Sequence, residues 1–172
     1  SYSSGQAGLH LAVRIGAPGT AKKMLAQAEA FGLARDPGTA LPYARVGLSH
    51  WWVSDVRSPH YNTMRVCSPG ASCGFRQSRS EQLGAVDAYR YAIVIDYNRT
   101  PIVPGRGSAF FLHVTEGKPT QGCISMSSSD LKWLLRWLDP ADEPIISINI
   151  GDAAYAVLDN QDDASLAAEE CG

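Results

Sequence analysis

His113 and Cys123 are the two residues whose types and spacing can support covalent chemistry. Only the thiolate form of cysteine is a strong nucleophile, and a neighbouring imidazole can take the thiol proton. Gly122 removes a side chain beside the sulfur and exposes backbone N–H groups. Those of Gly122 and Cys123 are the candidates for an oxyanion hole. The pattern therefore predicts a base and a nucleophile carried on neighbouring segments.

The same residues also have a structural interpretation. A lone cysteine that follows a glycine is usually a small buried residue, and a lone histidine at a strand end usually makes structural hydrogen bonds. The residue types and their spacing leave both interpretations open.

A strand and a loop must bring the two residues together. Residues 109–114, AFFLHV, are predicted to form a strand that follows a glycine-rich turn. Phe111 and His113 share one face of that strand, because side chains alternate along it. The polar loop 115–121 then leads to Gly122-Cys123 on a second short strand.

An amphipathic helix is predicted over residues 130–138. Its leucines recur at the spacing of one helix face, at positions 131, 134, 135 and 138. Ser128 or Ser129 is expected to cap its N-terminus, and Pro140 ends it. Trp133 and Trp137 lie one turn apart and are expected to pack the helix on the sheet, with a ligand-stacking surface as the alternative.

The rest of the chain reads mostly as strands. Residues 90–97 give the clearest one, and residues 20–31 are ambiguous between helix and strand. Other predicted strands are 9–15, 145–150 and 153–158, the last two flanking a hairpin or bend at Gly151-Asp152. We expect a mostly β fold of the β-rich α+β class with one firm helix near 129–138. Residues 1–172 are expected to form one domain with a flexible N-terminus (1–8) and an acidic C-terminus (160–172).

Composition limits the function classes. The 172 residues carry a net charge of −2, which gives no electrostatic reason to expect a nucleic acid or an anionic membrane as partner. No stretch approaches the roughly 20 apolar residues that a spanning helix needs. The chain begins at Ser1 without Met and without a basic-then-apolar stretch, so we expect a processed or trimmed form from which a signal peptide can have been removed. We expect no metal and no cofactor.

Two of the four cysteines close a small loop, CSPGASC. The ends of this loop, Cys67 and Cys73, can approach easily, so a disulfide is favoured over a metal site, for which further ligands are missing. Free thiols of a cytosolic protein are the alternative. A disulfide predicts a location outside the cytosol. Cys171, near the C-terminus, is either free or paired.

The stretch GRGSAFFLHV, the later PTQGC and the helix that ends in WLDP together resemble the L,D-transpeptidase catalytic domain (YkuD-type). The likeness runs from about residue 31 to residue 140 and includes HWWVSD at 50–55 and YAIVIDYN at 91–98. These upstream stretches are similar to the secreted actinobacterial branch of that family.

The resemblance implies a mixed β-sandwich fold and a secreted or cell-wall-associated enzyme. It implies that Cys123 attacks a peptidoglycan stem tetrapeptide, that His113 moves the proton, and that the thioester is resolved by an amine to give a cross-link. Water as acceptor gives an L,D-carboxypeptidase instead, and loss of activity gives a non-catalytic cell-wall-binding domain. It also implies covalent inhibition by carbapenem-type compounds.

Five further residues are candidates for substrate binding: Tyr61, Asn62, Ser108, Thr120 and Ser125. A structural role is the alternative for the first four. Ser125 is a departure, because the commoner family signature has an arginine there that can bind a substrate carboxylate or brace the loop. A second departure is Gln121, where the best-known members carry a histidine two residues before the cysteine.

Overall fold

The computed structural model describes residues 9–14, 29–117, 120, 123–142 and 144–150. The described residues form ten strands and one α-helix, with a few short 3₁₀ turns. The strands are β1 (Leu9–Arg14), β2 (Ala30–Gly32), β3 (Tyr43–Arg45), β4 (His50–Trp52), β5 (Met64–Val66), β6 (Glu81–Gln82), β7 (Ala92–Val94), β8 (Phe111–Val114), β9 (Ile124–Met126) and β10 (Ile145–Ile150). The helix is α1 (Ser128–Trp137). The predicted mostly β, α+β class is confirmed.

Two compact units divide the chain, and each is described by itself. One contains β1 and β10, which pair antiparallel with Leu9 opposite Ile150 and Arg14 opposite Ile145. This confirms the strands predicted at 9–15 and 145–150. The hairpin partner predicted at 153–158, the terminal segments 1–8 and 160–172, and Cys171 lie outside the described residues. That residues 1–172 form one domain stays a prediction.

The second unit, Gln27–Pro140, contains two sheets. A mixed five-stranded sheet has the order β3-β2-β7-β8-β9, in which the outer pairs are parallel and the inner pairs antiparallel. An antiparallel sheet has the order β5-β4-β6. The central strands β7 and β8 are almost entirely buried, which explains their continuous apolar sequence.

Four aromatic side chains join the two sheets in one core. Phe111 of β8 makes edge-to-face contacts with Phe31 of β2, Trp52 of β4 and Tyr89, at centroid distances of 5.0–5.4 Å. Such pairs contribute about 0.5–1.5 kcal/mol each beyond the area that they bury. This core fixes β8, and therefore His113 two residues after Phe111, against the three-stranded sheet.

The helix begins earlier than its sequence predicts. Its N-cap is Ser127, whose hydroxyl accepts a hydrogen bond from the Asp130 N–H at 3.1 Å, so the expected caps at Ser128 and Ser129 were wrong. Leu131, Leu134 and Leu135 are buried, as the spacing predicted.

The expected packing role of the tryptophans is also wrong in part. Trp133 is 62% exposed and Trp137 36% exposed, and the two rings stack on each other at 5.7 Å. The leucine face of α1 contacts the protein instead, because Trp133 and Trp137 lie on the side of the helix away from those leucines.

The strand predicted over residues 90–97 is shorter than expected. Only Ala92–Val94 is a strand, because a 3₁₀ turn occupies Asp87–Arg90 and Asn98 has a left-handed φ of 56° that turns the chain. The strand predicted over 109–114 also starts later, since Ala109 is left-handed with φ 62°.

The predicted disulfide is confirmed. Cys67 and Cys73 are bonded with a Cα–Cα distance of 6.1 Å, within the usual range. The loop that they close is packed by Gln77, whose side-chain amide donates to the backbone oxygens of Ser68 and Ala71.

Candidate active site

A cavity of about 350 Å³ lies in the second unit beside the end of β8. His113 and Cys123 both line it, as do Ser108 and Thr120. This volume is within the range of small-molecule and peptide side-chain pockets. The structure therefore brings four of the sequence-predicted site residues to one concave surface.

One ring nitrogen of His113 is held by the backbone. Nδ1 lies 2.9 Å from the carbonyl oxygen of Val114, the next residue. Because a carbonyl oxygen can only accept, Nδ1 carries the hydrogen, and Nε2 is left for proton transfer. The edge of the Tyr89 ring packs against the imidazole at 5.5 Å and further restricts its orientation. His113 is buried, with 8% of its surface exposed.

Cys123 is a free, partly buried thiol directly before β9. Its Sγ–H donates to the carbonyl oxygen of Ala109 at 3.4 Å. Burial raises the pKa of this thiol, a backbone hydrogen bond from Phe111 lowers it, and the negative charge of Glu81 raises it. A raised pKa favours the protonated thiol, and a neighbouring base such as His113 can take its proton.

Ala109, whose carbonyl accepts from this thiol, has an unusual backbone conformation. Its φ of 62° is the left-handed region, which costs a residue with a Cβ about 1 kcal/mol or more. The Ala109 N–H donates to Asn62 Oδ1 at 3.3 Å, while its carbonyl accepts from Cys123. Non-glycine residues in this conformation are often found at functional sites.

Asn62 is buried at the centre of a hydrogen-bond network, with 2% of its surface exposed. Oδ1 also accepts from Trp52 Nε1 at 3.0 Å, and Nδ2 donates to the carbonyls of Tyr97 and Asn98 at 3.2 and 2.8 Å. Tyr61 is 4% exposed. Neither Tyr61 nor Asn62 is among the described residues that line the cavity, so the structure does not bring these two candidates to it.

The remaining candidates have defined places. The Ser108 hydroxyl lies 3.1 Å from that of Ser54, and Thr120 Oγ1 donates to the carbonyl oxygen of Cys123. Ser125 on β9 is the register partner of His113 on β8, beside the cavity but not among its lining residues. Gly122, half of the expected oxyanion hole, lies outside the described residues.

Glu81 and Tyr89 line the cavity, and sequence reasoning missed both. Glu81 belongs to β6, where it pairs with Trp52 of β4, and Tyr89 lies in the 3₁₀ turn Asp87–Arg90. No local motif marks them, because only the pairing of β6 with β4 and the packing of Tyr89 on Phe111 bring them to the site. The preceding Ser-x-x-Glu spacing is too common to have found Glu81.

No helix among the described residues is long and apolar enough to cross a membrane.

Comparison with known proteins identifies the family. The sequence model of YkuD, described as the L,D-transpeptidase catalytic domain, matches residues 33–148, which is more than half of the chain. Comparisons with curated proteins and with solved structures gave no match. The matched region includes His113 on β8 and Cys123 directly before β9. The chain belongs to the YkuD family of L,D-transpeptidase catalytic domains.

Proposed function

We propose that this protein is an extracytoplasmic cysteine L,D-transpeptidase that acts on peptidoglycan stem peptides. The observation that carries the proposal is the cavity shared by His113 and Cys123, with His113 Nδ1 bonded to the Val114 carbonyl and Nε2 left for proton transfer. Membership of the L,D-transpeptidase family supports the reaction class.

In the first half-reaction, His113 Nε2 takes the Cys123 thiol proton and the sulfur attacks a peptide carbonyl of the donor. That carbonyl belongs to the L-centre of the diamino acid in a stem tetrapeptide. A C–S bond forms, the bond to the terminal D-alanine breaks, and the imidazolium protonates the leaving amine. The product is a Cys123 thioester.

In the second half-reaction, an amine of a neighbouring stem attacks the thioester carbonyl. His113 takes a proton from that amine, the new amide bond forms, and the C–S bond breaks. The sulfur leaves as thiolate and recovers the proton from His113. With water in place of the amine, the same steps give a free carboxylate and L,D-carboxypeptidase activity.

Both half-reactions pass through an oxyanion. We assign its stabilisation to the backbone N–H groups of Gly122 and Cys123, as the Gly-Cys sequence suggests. The Thr120 hydroxyl donates to the Cys123 carbonyl and so restrains the backbone on the other side of the nucleophile. Ser108, Thr120 and Ser125 remain our candidates for contacts to the donor peptide.

The disulfide supports a location outside the cytosol. Cys67 and Cys73 form a disulfide, and disulfides persist in oxidising compartments. Peptidoglycan is cross-linked in such a compartment. Acylation of Cys123 by carbapenem-type β-lactams belongs to the same proposal, since these compounds present a reactive carbonyl to the same thiol.

The test is a reaction of the purified protein with a stem tetrapeptide, analysed by liquid chromatography and mass spectrometry. We expect release of D-alanine together with a cross-linked dimer, and neither product from Cys123→Ala. D-alanine without dimer would establish the carboxypeptidase alternative. No D-alanine from the folded wild type would favour a non-catalytic cell-wall-binding domain.

A further inference from the structure

A carboxylate stands in the wall of the candidate active site. Glu81 lines the same cavity as Cys123, and its charge acts on the thiol. Among the described residues that line the cavity, Glu81 and Glu116 carry carboxylates and none is a lysine or arginine. The described part of the cavity wall is therefore anionic, although the proposed reaction has to form a thiolate there.

Glu81 is held in place by its neighbours. Its backbone belongs to β6, and its Oε1 accepts a hydrogen bond of 2.6 Å from the hydroxyl of Tyr89. Tyr89 is 3% exposed and is packed between Phe31, Phe111 and His113. Burial, and then the charge of Glu81, raise the pKa of Tyr89 far above its ordinary value, so its hydroxyl stays the donor.

The second carboxylate oxygen of Glu81 has no hydrogen-bond partner among the described residues, and no cationic side chain there pairs with it. A fixed carboxylate that faces a cavity and lacks a cation is suited to bind one. The diamino acid of the donor stem peptide carries a side-chain amine, which is an ammonium at neutral pH.

We infer that Glu81, positioned by Tyr89, binds the side-chain ammonium of the donor's diamino acid and selects donors in which that amine is free. This inference rests on the proposed transpeptidase function. It also explains how the site tolerates Glu81 beside Cys123. The bound ammonium offsets the carboxylate charge, so the thiolate forms more readily in the donor complex than in the free protein.

The test uses two stem tetrapeptides that differ only in acetylation of the diamino side chain. The rate of acyl-enzyme formation is measured by intact-protein mass spectrometry without an acceptor. In the wild type we expect the free-amine donor to react at least about 10-fold faster, as for a charge-assisted hydrogen bond. In Glu81→Gln we expect this preference to fall to about 2-fold or less.

Glu81→Gln is chosen because the amide oxygen can still accept from Tyr89. A merely structural role for Glu81 would slow both donors equally, and that result would overturn the inference. Asp87→Asn is the matched control. It removes the same charge from an exposed residue two positions before Tyr89, and Asp87 is not among the described residues that line the cavity. Asp87→Asn should therefore keep the full preference for the free-amine donor.

A binding measurement separates this inference from the proposed function. The dissociation constants of both peptides are measured calorimetrically on Cys123→Ala and on Cys123→Ala/Glu81→Gln. Neither peptide acylating the wild type would overturn the transpeptidase proposal. The ammonium site would still stand if Cys123→Ala binds the free-amine peptide more tightly and Cys123→Ala/Glu81→Gln does not. Equal acylation of both donors in the wild type overturns the ammonium site alone. If the peptides neither acylate the wild type nor bind to Cys123→Ala, both proposals are overturned.

Discussion

Asn62 and His113 are both buried polar side chains in the same unit, and they differ in how many hydrogen bonds they use inside the protein. Asn62 makes four, which is close to the full capacity of an amide. His113 makes one, and Cys123 makes one weak S–H bond. Ala109 connects the two regions, because its N–H binds Asn62 and its carbonyl binds Cys123.

The difference is the one expected between a structural polar residue and the catalytic residue that we propose. Burying a polar group costs free energy unless its hydrogen-bonding groups are satisfied, and Asn62 is satisfied. His113 and Cys123 leave a ring nitrogen and a sulfur for a substrate, at a concave surface. We therefore expect changes at Asn62 to act on stability and changes at His113 or Cys123 to act on the reaction.

The largest expected effect is that of Cys123→Ala on acyl transfer. D-alanine release should fall by at least about 10³-fold, because the proposed nucleophile is removed. The free energy of unfolding should change by no more than about 1 kcal/mol, since one weak hydrogen bond is lost at a partly buried position. Mass spectrometry and urea denaturation measure the two quantities. Activity within 10-fold of the wild type would contradict the assignment.

His113→Asn should give the next largest loss. The asparagine amide can still donate to the Val114 carbonyl but cannot act as a base at neutral pH. We expect the rate of D-alanine release to fall by about 10²–10⁴-fold with the protein folded. His113→Ala serves as the comparison, because it also removes the hydrogen bond and should lower stability more. If His113→Asn kept wild-type activity, a different base would be required.

Asn62→Ala should lower the stability of the protein rather than act directly on the reaction. Loss of its four bonds leaves buried partners unsatisfied, and we expect the free energy of unfolding to fall by about 3 kcal/mol. Asn98→Ala is the comparison, since Asn98 also has a left-handed φ, 56° against 57°, but its three side-chain hydrogen bonds lie at a less buried position. It should cost about half as much in urea denaturation. Equal losses would contradict the expectation that the burial of the Asn62 network makes it the more stabilising of the two.

The smallest effect concerns the pH dependence of the free thiol. Burial first, and then the charge of Glu81, raise the pKa of Cys123, so alkylation by iodoacetamide should still be rising at the pH where an exposed cysteine has levelled off. Glu81→Gln removes one of the groups that raise this pKa. It should therefore increase the alkylation rate at neutral pH, by about 3-fold.

A slower reaction of Glu81→Gln than of the wild type would contradict this sign. The label is mapped to Cys123 by peptide mass spectrometry. Cys67 and Cys73 provide an internal check, since their disulfide should keep them unlabelled without a reductant.

Much of the fold is predictable because its signals are local. The leucine spacing of α1 and the Cys67–Cys73 loop each depend on residues close in sequence. The strand at 90–97 was overestimated for the opposite reason. Apolar and β-branched residues predict extended backbone, but the left-handed Asn98 and the 3₁₀ turn before Tyr91 depend on tertiary hydrogen bonds.

The site divides in the same way. The His113 and Cys123 pair could be proposed from the chain, because a strand, a loop and a glycine suggest it and the family resemblance favours it over a structural interpretation. The group that orients His113 could not be predicted from the sequence. Every residue has a backbone carbonyl, and only the fold brings that of Val114 to the imidazole. Glu81 and Tyr89 reach the cavity through sheet pairing and aromatic packing, which leave no spacing pattern.

The central claim is that Cys123 is the nucleophile that accepts the acyl group and that His113 takes its proton. The most direct measurement is the intact mass of the protein after incubation with a stem tetrapeptide and no acceptor. We predict an added mass equal to the donor without its terminal D-alanine, on Cys123, absent from Cys123→Ala and greatly slowed in His113→Asn. An unmodified mass from folded protein whose Cys123 is still alkylated by iodoacetamide would contradict the claim.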